Sequence, residues 1–335
     1  MKKLLLATAV ATLSVSAAHA APTVYGKVLL TGEYTDVDDK TAANKDTSTT
    51  KLVSNYSRIG FKGEDDLTDT TKLVYQLEYG IDVDADTNGK GQFYSRNTFI
   101  GLAHNTMGTL IAGRHDTPFK LAKGGVDVFN DYDNVALGNL MVGETRANNV
   151  IAYKSPTLVG MPVTFMAAAV LSEEDKDADD AKTDIDEGAN GYSASLAYDQ
   201  NGVYLAAGYD NNIQSKTDSA WRLAGSVDMG KINMVPGLTL GALYQETDVA
   251  DESEDEKSWL ISGKYKVGAT PWAVKAQYID TSNQSGVKDN DATEVALGAE
   301  YTINKATKGH LYAAQIDTDN VSDKTIVGGG LEYKF

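Results

Sequence analysis

Cysteine is absent from the 335 residues, which excludes a disulfide scaffold and thiolate-held zinc. Long apolar runs are missing too: beyond residue 20 nothing approaches the roughly 18–20 residues that a spanning helix needs. A mean hydropathy of −0.31 is likewise too polar for a bundle of membrane helices. Basic residues are outnumbered, with 30 Lys and Arg against 47 Asp and Glu, for a formal net charge of −17. That balance excludes nucleic acid as a partner, because phosphates are held through Lys and Arg. There is no G-x-S-x-G, H-E-x-x-H or Walker motif, and no helical period in the body of the chain. The 31 Gly and 18 Tyr, with only 6 Pro, favour strands and turns.

The first twenty residues stand apart. Lys2 and Lys3 precede an apolar stretch from Leu4 to about Val15, and Ala18-His19-Ala20 follows. A basic head, a short apolar middle and an A-x-A end make a secretory signal, cleaved between Ala20 and Ala21. Its removal takes two Lys and no acid, leaving −19 on residues 21–335.

Alternation dominates what remains, as in strands whose two faces differ. Leu73, Tyr75, Leu77, Tyr79 and Ile81 alternate with Lys72, Val74, Gln76, Glu78 and Gly80, and Val295–Ile303 repeats the pattern. Sixteen such segments start between Val24 and Thr325, each about 9–12 residues, the length of a tilted membrane strand. The connections alternate between short turns, such as Asp199–Gly202, and long acidic loops, such as Ser172–Asn190. Seven of the long ones, from Asp36–Ser54 to Asp317–Lys324, hold 30 acids and 10 Lys. Nearly all net charge therefore sits at one rim, as expected of an up-and-down barrel and not of a sandwich. Val327, Gly329, Leu331, Tyr333 and Phe335 give the last strand an apolar face to match Gly26, Val28, Leu30 and Gly32 of the first. Pairing those two strands leaves no open edge in lipid. The expected fold is all-β, a 16-stranded antiparallel transmembrane β-barrel.

Tyr25-Gly26-Lys27, Ser57-Arg58-Ile59-Gly60-Phe61-Lys62-Gly63-Glu64, Arg96-Asn97-Thr98-Phe99-Ile100-Gly101-Leu102 and Ala112-Gly113-Arg114 closely resemble the Gram-negative general porins. The terminal Tyr333-Lys334-Phe335 is similar to their aromatic assembly signal. The resemblance implies a trimer of barrels in the outer membrane, each with a water-filled pore narrowed by an inward-folded third outer loop. It further implies the barrel-assembly machinery, lipid and lipopolysaccharide as partners, with divalent ions bridging the last to the acidic loops, and ions and small polar solutes as cargo. No cofactor or metal is expected. Residues 115–145 supply the loop independently, being too long for an ordinary connection and, with Phe119, Val126, Phe129, Tyr132, Leu137 and Met141, too apolar for a disordered one.

A pore that sorts ions needs opposed charges at its narrowest point. Alternation puts Lys27, Arg58, Arg96, Arg114 and Lys154 on the polar face, with Arg146 at a strand entry. Lys27, Arg58 and Arg96 match the family's basic ladder position for position. A charge facing lipid at mid-depth costs ~2–4 kcal/mol, so these side chains are expected inside. Facing them, the loop offers Asp127, Asp131, Asp133 and Glu144. The outer acids favour cations and the ladder favours anions, so the sign of selectivity stays open.

Three other readings compete. A substrate-selective channel would carry an aromatic slide along its lumen, whereas Tyr75, Tyr79, Tyr265, Tyr301 and Tyr333 fall on the lipid-facing parity. A surface adhesin or evasion protein would use the barrel only as a mount. A Ser–His hydrolase barrel would have fewer strands. Asp82–Asp86 begins like a calcium loop, but Thr87 replaces the Gly of its sixth place and Phe93 the Glu of its twelfth. The export reading predicts that protein recovered from the outer membrane begins Ala21-Pro22-Thr23 on N-terminal sequencing; an intact Met1 would refute it.

Overall fold

The structure, a computed structural model, describes residues 21–41, 45–84, 92–158, 160–172 and 190–335. The export segment 1–20 and most of the acidic run Ser172–Asn190 lie outside these residues, as do residues 85–91 of the calcium-like loop. Among the described residues, seventeen strands form one antiparallel sheet that closes on itself. They are β1 Thr23–Asp39, β2 Thr47–Ser54, β3 Arg58–Thr68, β4 Thr71–Ile81, β5 Phe93–His104, β6 Gly108–Asp116, β7 Arg146–Lys154, β8 Val163–Val170 and β9 Gly191–Gln200. Then come β10 Val203–Gln214, β11 Thr217–Asp228, β12 Leu238–Val249, β13 Glu256–Lys266, β14 Trp272–Ser282, β15 Ala292–Thr302, β16 Thr307–Thr318 and β17 Ser322–Lys334.

Sixteen positions encircle the barrel, because β2 and β3 share one side of β1. β2 pairs with its outer half, from Leu30↔Ser54 to Val37↔Thr47, and β3 with its inner half, from Thr23↔Lys62 to Lys27↔Arg58. Between them Tyr56 takes a left-handed backbone (φ 49°). The segment Asp36–Ser54, expected as a loop, is thus largely strand. Asp210–Ser219 is corrected in the same way: β10 and β11 run on to a turn at Ser215 and Lys216. Polar residues stand on both faces of both stretches, with only Val37, Leu52, Val53 and Ile213 among them large and apolar, so there is too little alternation to count.

Short turns close the inner end. Asn201 and Gly202 supply the two positive φ values, 52° and 82°, that a two-residue hairpin turn requires between β9 and β10. The seam joins first strand to last, from Lys27↔Lys334 to Asp39↔Ser322. The final residue completes it: Gly26 N–H donates to the Phe335 carbonyl (2.9 Å) and Phe335 N–H to the Gly26 carbonyl (3.1 Å). Tyr333 stacks on Phe335 at 6.1 Å. Outward positions are apolar, among them Ile100, Leu205, Leu297, Leu311 and Leu331. Aromatic pairs edge them, Trp272 with Tyr301 and Trp221 with Tyr244, in the manner of a membrane girdle.

The buried core lies inside the ring. Val126, Phe129, Tyr132, Val135, Leu137, Leu140 and Met141 of the long loop pack on inward-facing Leu243, Leu260, Ile279, Ile316 and Ile326. At the height of the loop this packing fills the side of β12–β17, and the opening beside it runs along β1 and β3–β7. A cavity of about 520 Å³ lies there, lined by Lys62, Glu64, Gln76, Thr109, His115 and Lys154.

A Cβ added at Gly330 would meet the backbone carbonyl of Leu30 across the seam at 2.0 Å, whereas one at Gly32 meets nothing within 4 Å. Gly330→Ala is expected to lower stability by about 1–3 kcal/mol and Gly32→Ala to stay within about 0.5 kcal/mol. Both are read from the temperature at which the folded band is lost on electrophoresis.

Candidate functional site

The loop leaves the wall at Thr117 and returns at Thr145, and Thr117 N–H donates to the Thr145 carbonyl (3.2 Å), pinching its neck. Thr117 caps the short helix α1, Pro118–Ala122, by accepting the Lys120 N–H on its hydroxyl (3.1 Å), and Pro118 starts the first turn. From there the segment is tied to one strand after another. Phe119 N–H donates to Ser193 of β9 (3.0 Å), and the Tyr204 hydroxyl of β10 to the Ala122 carbonyl (3.0 Å). Val128 N–H donates to Gln277 of β14 (3.1 Å), the Tyr132 hydroxyl meets His310 Nδ1 of β16 (2.7 Å), and Asn134 donates to Glu33 of β1 (2.7 Å). One segment reaches strands on all these sides only by crossing the interior.

The strongest tie is Arg222 on β11, fully buried. Its guanidinium contacts Glu144 at 3.0 Å, donates to Gln245 and lies 4.2 Å from the Phe119 ring centre. Glu144 also holds Lys123. Asp127, buried, accepts the N–H groups of Phe129 (3.1 Å) and Leu137 (3.2 Å). Burial pushes its carboxyl above the usual range, against the pull of Lys123. Asp127 and Glu144 thus fold and anchor the loop and do not front the passage.

The passage is edged by a band of alternating charge. Asp131, at the loop tip, contacts Lys27 Nζ at 2.7 Å and Arg58 at 3.9 Å. Burial opposes ionisation of Asp131, but Lys27 outweighs it and holds the carboxyl below its ordinary range. Glu78 of β4 follows, 3.8 Å from Arg58 and 2.7 Å from Arg96, and it accepts the Tyr25 hydroxyl at 3.0 Å. Arg146 contacts Asp116 at 3.0 Å and Asn97 at 2.8 Å, and Asp116 contacts Lys120 at 2.9 Å. Asp133 is exposed at the tip, its N–H donating to Asn55 (2.9 Å). A register shift between β4 and β5 sets Arg96 and Asn97 together opposite Glu78; such a bulge re-aims side chains, and here both turn inward.

Five of the six expected basic residues face the interior. Arg114 does not. Ile111 takes the inward place on β6 because it packs with Val150, Val74 and Phe99, and His115 lies on Phe99 at 5.3 Å. Arg114 falls between these, pairs with Thr98 and donates to Asn148 on the outer face. Lys154 faces inward but lies at the short-turn end, opposite Thr109 and lining the inner cavity, away from the band. Glu78, Asp116, Lys120, Arg222 and Lys275 were not foreseen. Arg222 had a signal: a lone Arg between Trp221 and Leu223 in a strand must turn away from lipid.

Comparison with known proteins agrees with this architecture. A family profile for Gram-negative porins matches residues 7–321. The major outer membrane protein P.IB of Neisseria sicca is 26% identical over the full length of both chains. Among solved structures, the anion-selective porin from Comamonas acidovorans superposes with a TM-score of 0.75 at 20% identity, covering 94% of this chain and 99% of that one. The trimer form of OmpT from Vibrio cholerae gives 0.61 at 17%, covering 94% and 100%. A family match across almost the whole sequence, on a closed sixteen-position barrel with charge gathered inside it, places the chain in the Gram-negative porin family.

Proposed function

We propose that the charged band is the selective constriction of an outer-membrane diffusion porin, through which ions and small hydrophilic solutes pass passively. The carrying observation is the run from Asp131 through Lys27, Arg58, Glu78 and Arg96 to Arg146, Asp116 and Lys120, set where the loop leaves the interior open. Fixed opposed charges replace part of the hydration of a passing ion and sort ions by sign. Five cations, Lys27, Arg58, Arg96, Lys120 and Arg146, stand against four carboxylates, Glu78, Asp116, Asp131 and Asp133. The small basic excess supports a modest preference for anions. The reading assigns the protein no catalysis.

The assembly we infer is a homotrimer, in keeping with the trimeric Vibrio cholerae neighbour. Residues 1–20 act as the export signal and Tyr333 and Phe335 as the mark read during assembly. Acidic rims facing lipopolysaccharide through divalent ions complete the proposal.

Single-channel recording of the refolded barrel under a KCl gradient tests the constriction. Arg58→Ala with Arg96→Ala is expected to move the reversal potential towards cations and to enlarge the unit step; an unchanged potential refutes the assignment. Arg222→Ala leaves the part-buried Glu144 with Lys123 alone. Breaking such a buried pair costs about 3–5 kcal/mol, so the loop is expected to loosen, with noisier current and faster proteolysis between 117 and 145 while the barrel still closes.

A further inference from the structure

On the wall across from Arg58 and Arg96, below the loop, a second set of charges does not balance. Lys264 of β13 and Lys275 of β14 are direct cross-strand partners, and like charges so placed destabilise an antiparallel pair. Lys308 approaches from β16. All three converge on Glu300 of β15, at 2.7, 3.4 and 3.5 Å for Lys264, Lys275 and Lys308. Neighbouring carboxylates are already engaged, Glu332 with Lys334 at 3.1 Å and Asp131 with Lys27 at 2.7 Å. One acid therefore answers three lysines, and an excess of two positive charges remains.

The three lysines differ in what they can reach. Lys275 is 3% exposed, with its ammonium donating to the Val128 carbonyl (2.9 Å) and lying over the Phe129 and Tyr132 rings. It supports the loop and adds charge without meeting solvent. Lys264 and Lys308 keep 38% and 35% of their side chains exposed, and both alternate onto the inward face, Lys264 beside lipid-facing Tyr265 and Lys308 two residues before inward His310. Both ammonium groups contact the same Glu300 oxygen. They consequently lie within about 6 Å of each other, a span that two oxygens of one tetrahedral oxyanion bridge at ordinary charge-assisted hydrogen-bond lengths. Neutralising Glu300 alone would need only Lys264.

We propose that Lys264 and Lys308 form a binding step for compact dianions of the phosphate class, inorganic phosphate or a small phosphate ester, at the inner mouth of the channel. This rests on the reading of the chain as a diffusion porin. The partners are part-exposed and screened, so the site is weak, on the order of millimolar. Chloride, with one charge and no second oxygen, passes without pausing, whereas a dianion dwells and hinders the ions behind it.

The test is a conductance titration of the refolded, full-length mature barrel in dilute KCl near neutral pH, with potassium phosphate added on the short-turn side. Inorganic phosphate is expected to lower the chloride current saturably, whereas the same ionic strength of added KCl does not. In the double variant Lys264→Gln/Lys308→Gln the half-effect concentration is expected to rise about tenfold, as for loss of two partly exposed charge pairs. Glu300→Gln is expected to lower it, since only a ligand site responds to the two changes with opposite sign. Glycerol phosphate acting in parallel extends the site to esters, and its failure restricts the site to the free ion. A linear phosphate effect, or one identical in the double variant, overturns the proposal. Absence of chloride current from the unmodified barrel would instead overturn the channel reading beneath it.

Discussion

Lipid offers no hydrogen-bond partner to a backbone, and an unpaired N–H or C=O there costs several kcal/mol. Everything in this barrel follows from that deficit. The sheet must close, and the seam is drawn shut where Phe335 meets Gly26. The outer surface must be apolar in every strand, so all polar side chains that function requires are driven to the alternate positions. Concentrating them inside a ring creates the passage and its field in a single step.

Closure alone, however, would leave an interior too wide and too wet to discriminate. The long loop resolves this by carrying its own apolar side chains inward and covering the apolar wall of β12–β17. Burying that surface is worth roughly 25 cal/mol per Å², and it holds the loop across the lumen without any covalent link. The polar ties at Ser193, Arg222, Gln277, His310 and Glu33 then fix its height and rotation. What remains open is a channel edged by charges on rigid strands, with Asp131 presented from the loop tip.

Much of this was legible in the residues. Alternation located the start of each of the sixteen expected strands to within three residues, because lipid on one face enforces it. It failed where that enforcement lapses. β2 rises where polar residues stand on both faces, so too little in Thr47–Ser54 alternates to count. Arg114 was placed by assuming that its parity on β6 faces inward, when the opposite parity does, with Ile111 packed against Val74 and Phe99. Lys27, Arg58 and Arg96 were found because a charge facing lipid at mid-depth is costly and because their motifs resemble the family's basic ladder. The carboxylates that pair with them were harder. Glu78 was read as a mere alternation partner of Tyr79, and Asp127 and Glu144 look equivalent to Asp131 until the fold shows which backbone and which cations they serve. A loop's internal architecture has no period, and its side-chain roles emerge only from three-dimensional contacts.

The loop's ties have a mechanical meaning as well. A thin hollow cylinder resists stretching along its wall but ovalises easily under sideways load, because bending a single sheet is soft. A member that spans the bore and is fastened to β9, β11, β14, β16 and β1 acts as a transverse strut. Lateral pressure from the surrounding bilayer is then carried across the lumen in compression by packed side chains, which are nearly incompressible. The aperture keeps its shape while the membrane around it is stretched or crowded.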